Sequence, residues 1–497
     1  MSGWIEVRDG IESCVRDTFL EFRVVGSEPK LRRSKSTGSI EATPVTPATP
    51  MFMPKASKIS AGDCFSAAGD SSASTKTNSG CVSPCGTKEV YLQSAIEALH
   101  RATCQGKQAS RCEVSDIILQ LPTLADLPAD SKSRLMSQLM WSLGKMQYKQ
   151  VEVYALPDLI PSELVTFRTS DLCAMLWGSV KLGITELSRR IITALDTMPL
   201  RDVPPQSVAN GMWCLGTLKL NTAAARSVFS KFLQLAVQDD MRNFTCQGVA
   251  NSLWAAAHHQ LDKLQAQHFL KKAVLRAMEL ETSDFQHEEL CMAVWAVGRI
   301  IWSARDSRGN FLRGQYKCVQ DDWLLLAFKE ATGKIRLLKP QGVSMIAITL
   351  KNLKQDRFPE ARDFLLAAAR ELSGKVHECS GQALANLCHV FCGRMMVKLW
   401  PSETLEERAA YKAQVVVPFA AAVAKRLTSQ VWDYSSRDLF AIASSFARAK
   451  LGHVQEVHDF AVALLNAPSN GSLTSQDSMN LVFLMNSGKQ KFQAKRS

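Results

Sequence analysis

Two kinds of side chain recur along this chain at spacings suited to holding a polyanion. Amides stand at Gln206 and Asn210, again at Gln247 and Asn251, and again at Gln382 and Asn386, each pair four positions apart. Cations stand at Lys145, Lys181 and Arg299, each four positions beyond a tryptophan. Residues four apart share one face of a helix, so each amide pair presents two carboxamides side by side. A carboxamide donates and accepts together and can pair with a base edge, whereas a lysine or arginine can hold a phosphate. One helical repeat per base is an established geometry for reading single-stranded RNA. The same residues have a plainer use. An asparagine in a stacked helix can satisfy backbone groups of its neighbour, a glutamine can cap a helix, and a terminal lysine can face solvent. Both uses stay open in the sequence.

Catalytic patterns are missing. Gly333-Lys334 lacks the glycine five positions earlier that a phosphate loop needs, and neither H-E-x-x-H nor G-x-S-x-G occurs. His258 and His259 are adjacent, so on a helix their rings diverge. Cys81/Cys85 and Cys388/Cys392 are spaced C-x3-C, with His389 inside the second pair, but neither has the matching second knuckle of a closed zinc site. The 14 cysteines are scattered rather than framed in pairs, which suits a reducing compartment with free thiols. The expectation is a non-enzyme with no metal, no cofactor and no small-molecule substrate.

The elements that position the amides and cations follow from a repeat. Trp141, Trp177, Trp213, Trp254 and Trp295 are separated by 36, 36, 41 and 41 residues, and the series continues with Ile348, His389 and Phe483 in the tryptophan's place. With the tryptophan as position zero, offsets −5, −1 and +2 are apolar. Met136, Leu172, Val208, Val249 and Leu290 stand at −5, for example. Those offsets fall on one side of a 3.6-residue helix. Offsets −4 and +1 are small, as in Cys173/Gly178, Ala209/Cys214 and Ala250/Ala255, which lets neighbouring helices approach closely. An amphipathic second helix follows each tryptophan helix, as in 185–196, 222–238, 263–280, 318–331, 359–373 and 406–427. A helix pair at this period makes a solenoid. The expected fold is all-α: a right-handed α-solenoid of about nine helix-pair repeats of 36–41 residues.

The array is expected over residues 126–490, behind a helical cap at 91–125 and a mostly disordered segment at 1–90 that is rich in Ser, Thr and Pro. A short helix is expected near 5–22. Ser34 and Ser36 lie beside Arg32 and Arg33, a pattern suited to basophilic kinases, and Thr43, Thr46 and Thr49 each precede a proline. Phosphates there would invert the local charge and create or abolish docking to a basic surface. No run is long and apolar enough to span a membrane. Glu6, Asp9, Glu12, Asp17 and Glu21 make a poor transit peptide.

Leu176-Trp-Gly-Ser-Val-Lys-Leu-Gly183, Asn210-Gly-Met-Trp-Cys-Leu-Gly-Thr-Leu-Lys219 and Asn251-Ser-Leu-Trp-Ala-Ala-Ala257 resemble the repeat core of the octotricopeptide, heptatricopeptide and FAST-kinase-like proteins. The resemblance covers about residues 126–490, without a visible RAP domain. It implies an α-solenoid that binds organellar RNA and supports its processing, stability or translation, in a mitochondrion or plastid. The acidic N-terminus leaves a cytoplasmic location open. Charge distribution is compatible with such a partner. The net charge is +12, and residues 91–497 hold 48 basic against 37 acidic side chains, so the surplus sits on the folded part. The alternative expectation is an armadillo- or HEAT-like scaffold for protein partners, regulated by phosphorylation of its N-terminal segment.

Overall fold

The computed structural model describes residues 5–7, 11–16, 19–24, 85–107, 109–124, 127–148, 150–160, 163–259, 261, 263–303, 317–353, 358–393, 405–466 and 475–494. The chain divides into two units, Met1–Ser57 and Lys58–Ser497. The phosphorylation motifs at Ser34, Ser36, Thr43, Thr46 and Thr49 lie outside the described residues, as does most of the segment expected to be disordered.

The first unit corrects the expectation of a helix near 5–22. Three strands, β1 (Ile5–Val7), β2 (Ile11–Arg16) and β3 (Phe19–Val24), form an antiparallel meander in which Val7 faces Ile11 and Arg16 faces Phe19. The sequence contains the reason. Asp9-Gly10 is among the strongest short hairpin signals, and the runs beside it are rich in Ile, Val and Phe. A helix through the same residues would have carried Gly10 in its interior at a cost of about 1 kcal/mol.

The described part of the second unit is all-helical. In chain order its α-helices are α1 (Cys85–Cys104), α2 (Arg111–Leu119), α3 (Ala129–Met146), α4 (Leu156–Leu159), α5 (Thr169–Leu182), α6 (Thr185–Thr197), α7 (Pro205–Leu218), α8 (Ala223–Gln238), α9 (Cys246–His258) and α10 (Lys263–Glu279). There follow α11 (His287–Ser303), α12 (Lys317–Gly333), α13 (Pro340–Leu353), α14 (Pro359–Gly374) and α15 (Gly381–Phe391). The last are α16 (Leu405–Tyr411), which continues through a π-turn (Lys412–Val416) into α17 (Val417–Ser429), then α18 (Ser436–Arg448), α19 (Gln455–Asn466) and α20 (Ser475–Ala494).

Two rows result. Helices α1, α3, α5, α7, α9, α11, α13, α15, α18 and α20 each pack on the next in that order, and this A row carries the tryptophans. Helices α4, α6, α8, α10, α12, α14, α17 and α19 make the parallel B row. The core lies within and between the rows. Leu172, Leu176, Leu187 and Ile191 of the α5–α6 pair are fully buried, as are Phe364, Leu365, Ala368 and Ala369 of α14. Ser or Thr hydroxyls start many helices. Thr222, Thr245, Ser380 and Ser435 accept from the backbone N–H three residues on, at 3.1 to 3.2 Å. The glutamines expected as possible caps, Gln247 and Gln382, lie inside the first turn instead, two residues after those caps.

The B row is tied together by cations that sequence patterning does not single out. Arg190 donates to the carbonyls of Pro157 and Ile160 at the end of α4, and Lys231 to those of Asp196 and Met198 at the end of α6. Arg276 donates to Phe244, Lys334 to Ser283, Lys375 to Arg336, and Arg426 to Val376 and Cys379. Each B helix from α6 to α17 therefore sends one cation to carbonyls that follow, or end, the B helix before it; for α12 and α14 the cation sits at or just past the helix end. The last carbonyls of a helix have no partner within it and carry the negative end of its dipole. Arg190 and Lys231 satisfy both needs at once at the ends of α4 and α6, and the other cations hold the carbonyls of the turns that follow.

Candidate nucleic-acid interface

The A helices bring the tryptophans into one continuous row. Trp141 stacks on Trp177 with ring centroids 6.3 Å apart and planes 29° from parallel, and Trp213 on Trp254 at 6.4 Å and 29°. Between the two pairs lies Lys181, whose Nζ is 5.5 Å from the Trp177 ring centre and 4.6 Å from that of Trp213. His258 continues the row, 4.1 Å from Trp254 and 5.2 Å from Trp295. At the other end His100 meets Trp141 edge-on at 5.0 Å. Trp141, Trp177, Trp213 and Trp254 are half-buried, and Trp295 is buried.

The cations predicted from sequence lie on these rings. Lys145 Nζ sits 4.6 Å from the Trp141 ring centre, and the Arg299 guanidinium 5.3 Å from that of Trp295. Arg299 Nε also donates to the Ala257 carbonyl of the preceding A helix at 2.8 Å. A cation over an indole contributes about 0.5–2 kcal/mol, more when desolvated. Burial holds the Lys181 amine below the usual lysine range. Lys181 and Arg299 thus join neighbouring repeats, Lys145 lies over the tryptophan of its own helix, and all three remain half-exposed.

The amides lie beside this row. Gln206 is exposed and its Nε2 donates to Asn210 Oδ1 at 3.1 Å, so the first pair is joined within its own helix. Asn210, Gln247, Asn251, Gln382 and Asn386 are all half-buried. On one edge of successive A helices the fold therefore lines up carboxamides, indole edges and cations. That combination offers hydrogen-bonding groups for base edges, π-faces for stacking and positive charge for phosphates.

Two members of the series escape sequence patterning. His100 occupies the tryptophan position of an earlier repeat, and its 41-residue separation from Trp141, equal to that between Trp213 and Trp254, is the signal that marks it. In α18 the burial of Leu439, Ala443, Ser445 and Phe446 sets the register, with Ser444 at position zero. Arg448 then falls at +4 and extends the cation column; its guanidinium reaches His389 Nδ1 at 3.4 Å.

The cysteines behave as small apolar residues. Cys173, Cys214, Cys291, Cys388 and Cys392 are buried free thiols, and burial raises the pKa of every one. Among the described residues no three His, Cys, Asp or Glu side chains come together as a metal cage, and no helix is long and apolar enough to cross a membrane.

His259 gives the array an acid limit. Its ring stacks on Phe229 with centroids 3.8 Å apart, and Nε2 is buried without a hydrogen-bond partner. Burial lowers its pKa to about 4, against a weaker opposing pull from the Leu215 backbone. The unfolded chain therefore binds the proton more readily between pH 6.5 and 4, and stability falls as pH drops through that window. The expected loss is about 2–3 kcal/mol at pH 4. Denaturant titrations at stepped pH should show it, and His259→Phe, which keeps the stack and removes the titration, should flatten that part of the curve.

No protein-family model matches this chain, and a search of curated proteins finds no match to its sequence.

Proposed function

We propose that this chain is an RNA-binding scaffold, a right-handed solenoid of about nine helix-pair repeats, acting in organellar RNA processing, stability or translation. The observation that supports it is the alignment of half-exposed amides and cations beside the stacked indoles on one edge of the A row. The surplus of positive charge on residues 91–497 adds long-range attraction for a phosphate backbone. A mitochondrial or plastid setting comes from the resemblance to the octotricopeptide, heptatricopeptide and FAST-kinase-like proteins. No catalytic step is assigned, because the aligned groups are carboxamides, indoles and cations.

The test is retrieval of crosslinked RNA from cells, then titration of the purified chain with single-stranded RNA at several salt concentrations. Each phosphate held by a cation lowers the slope of log K against log salt by about 0.7, so three engaged cations give a slope near −2 or steeper. Asn210→Ala with Asn251→Ala should change base preference while leaving the helical signal and the unfolding midpoint nearly unaltered. Unfolding with unchanged preference would assign those amides to packing alone, and salt-insensitive or absent binding would remove the RNA reading.

A second reading, a scaffold for protein partners, has its own observation. Met479, Val482 and Phe483 on α20, the last helix of the A row, are 57, 50 and 42% exposed and lie on one helical face. Absence of RNA binding in the same titrations would favour that reading.

A further inference from the structure

The A helices meet through fixed columns. Counted from the tryptophan position, +3 of one helix meets +1 of the next. A Cβ on Gly144 would lie 2.9 Å from the Gly178 Cα, and one on Gly216 would lie 2.9 Å from the Ala255 Cα. In the same way −4 of one helix meets −6 of the next, where a Cβ on Gly342 would reach the Cys291 Sγ at 2.7 Å. The −4, −1 and +3 residues therefore face onward along the row, and −6, −2 and +1 face back. In the five tryptophan helices the −4 and −1 residues are at most 3% exposed, because the next A helix covers them.

The two ends of the row differ. In α1, with His100 at position zero, the onward residues Leu92, Ile96, Leu99 and Thr103 are buried, and the backward residues Ser94, Ala98 and Arg101 are exposed. Arg101 stands at +1, where an inner helix has no room even for a Cβ beyond that of a small residue, as the Gly178 contact with the Met140 backbone shows. That end is closed to a further A helix and has the polar outer face that a terminal repeat needs. In α20, with Phe483 at position zero, the pattern is reversed. The backward residues Leu481 and Leu484 are fully buried, and the onward residues Met479, Val482 and Asn486 are exposed. Inner helices hold Ser, Cys or Ala at −4, sized for a neighbour at fixed close range; α20 has a methionine there and a phenylalanine beside it. Both types are enriched where separate chains meet.

We propose that the onward face of α20 pairs with the same face of a second copy of this chain, about a two-fold axis beside Val482 and Phe483. The pairing extends the helix-to-helix packing of the A row by one member. Head-to-tail stacking, which would run on as a filament, is blocked because Arg101 occupies the backward face of α1. A face that meets itself must oppose no like charges, and residues 478–488 are eleven consecutive uncharged positions. The same stretch offers no cation to a polyanion, so the pairing stands apart from the RNA reading. With the helices antiparallel their dipoles oppose favourably, and Met479 of each copy lies opposite Asn486 of the other. The interface is isologous and closes at two copies.

The experiment uses the purified full chain, free of RNA. Sedimentation and light scattering over a micromolar dilution series should show the mass rise from 54.8 kDa towards twice that value and stop there. Val482→Glu places two like charges at the axis and should hold the mass at one chain throughout. Val482 is half-exposed, so the helical signal of the variant should match the wild type. Val151→Glu is the control: its side chain is 72% exposed but lies outside the A row, and pairing should be unchanged. Met479→Cys mixed with Asn486→Cys should give, on mild oxidation, more cross-linked pair than either variant alone or the wild type. A chain that stays single at every concentration overturns the proposal, as does equal pairing in wild type and Val482→Glu. Mass growth beyond two copies overturns the two-fold axis. Cross-linking that is strongest for Met479→Cys alone keeps the α20 pair and overturns its antiparallel sense. A chain that is single when pure but holds a different protein through this face overturns self-pairing and favours the protein-scaffold reading.

Discussion

Gly178→Ala is expected to destabilise the chain by about 3–5 kcal/mol, a large effect for one methyl group. Gly178 lies at +1 of α5, against α3. A Cβ there would fall inside the van der Waals surface of the Met140 carbonyl, 2.6 Å from its carbon and 3.1 Å from the Met140 Cβ. The obstacle is backbone, so no side-chain rotation relieves it and the two helices must separate. Separation would also pull apart the Trp141–Trp177 stack. In an array whose members touch only their neighbours, the damage should concentrate between α3 and α7. Hydrogen exchange should then be accelerated in α3 and α5 with less change in α18–α20. Gly374→Ala is the control: nothing lies within 4 Å of its added Cβ, and a change within about 0.5 kcal/mol is expected. Equal losses in the two variants would show that close approach at Gly178 is not what matters.

The small residues that make this prediction possible were also what made the fold legible. Apolar −5, −1 and +2 positions with small −4 and +1 positions fixed which face of each A helix is covered, and the second helices follow at the expected places, as 185–196 against Thr185–Thr197 and 359–373 against Pro359–Gly374. Helix starts carry no such signal, because the first turn is polar and lies outside the stripe; α5 begins at Thr169, three residues before Leu172. In the N-terminal meander the Ile and Val spacing suits either element, and only Asp9-Gly10 separates a hairpin from a helix there. The candidate interface was legible as columns but not as contacts. Spacing put Lys181 on the tryptophan face; only the three-dimensional stack shows it lodged between two indoles of different repeats. The B-row cations could not be picked out, since amphipathic helices carry many lysines and arginines, and which one meets a preceding helix end depends on how the pairs stack. Lys351 was hidden for the opposite reason. It lies off the polar stripe, in a column where the sequence suggests packing alone.

Lys351→Met is expected to stabilise the chain by roughly 3–5 kcal/mol at pH 7. Methionine keeps the unbranched stem and fills the same space without a charge. The size follows from the amine, which is lowered from 10.5 to about 7, first by burial and then by Arg448. A group protonated more readily when unfolded lowers stability wherever the unfolded chain holds the extra proton. For Lys351 the cost is full below pH 7, shrinks as pH rises from 7 towards 10.5, and vanishes above that. The stability gap between variant and wild type should therefore be widest at pH 7 and nearly closed at pH 10. A gap that stays constant across that range would mean that methionine packs better for reasons unrelated to charge. A gap of the opposite sign would mean that the lysine has an acidic partner.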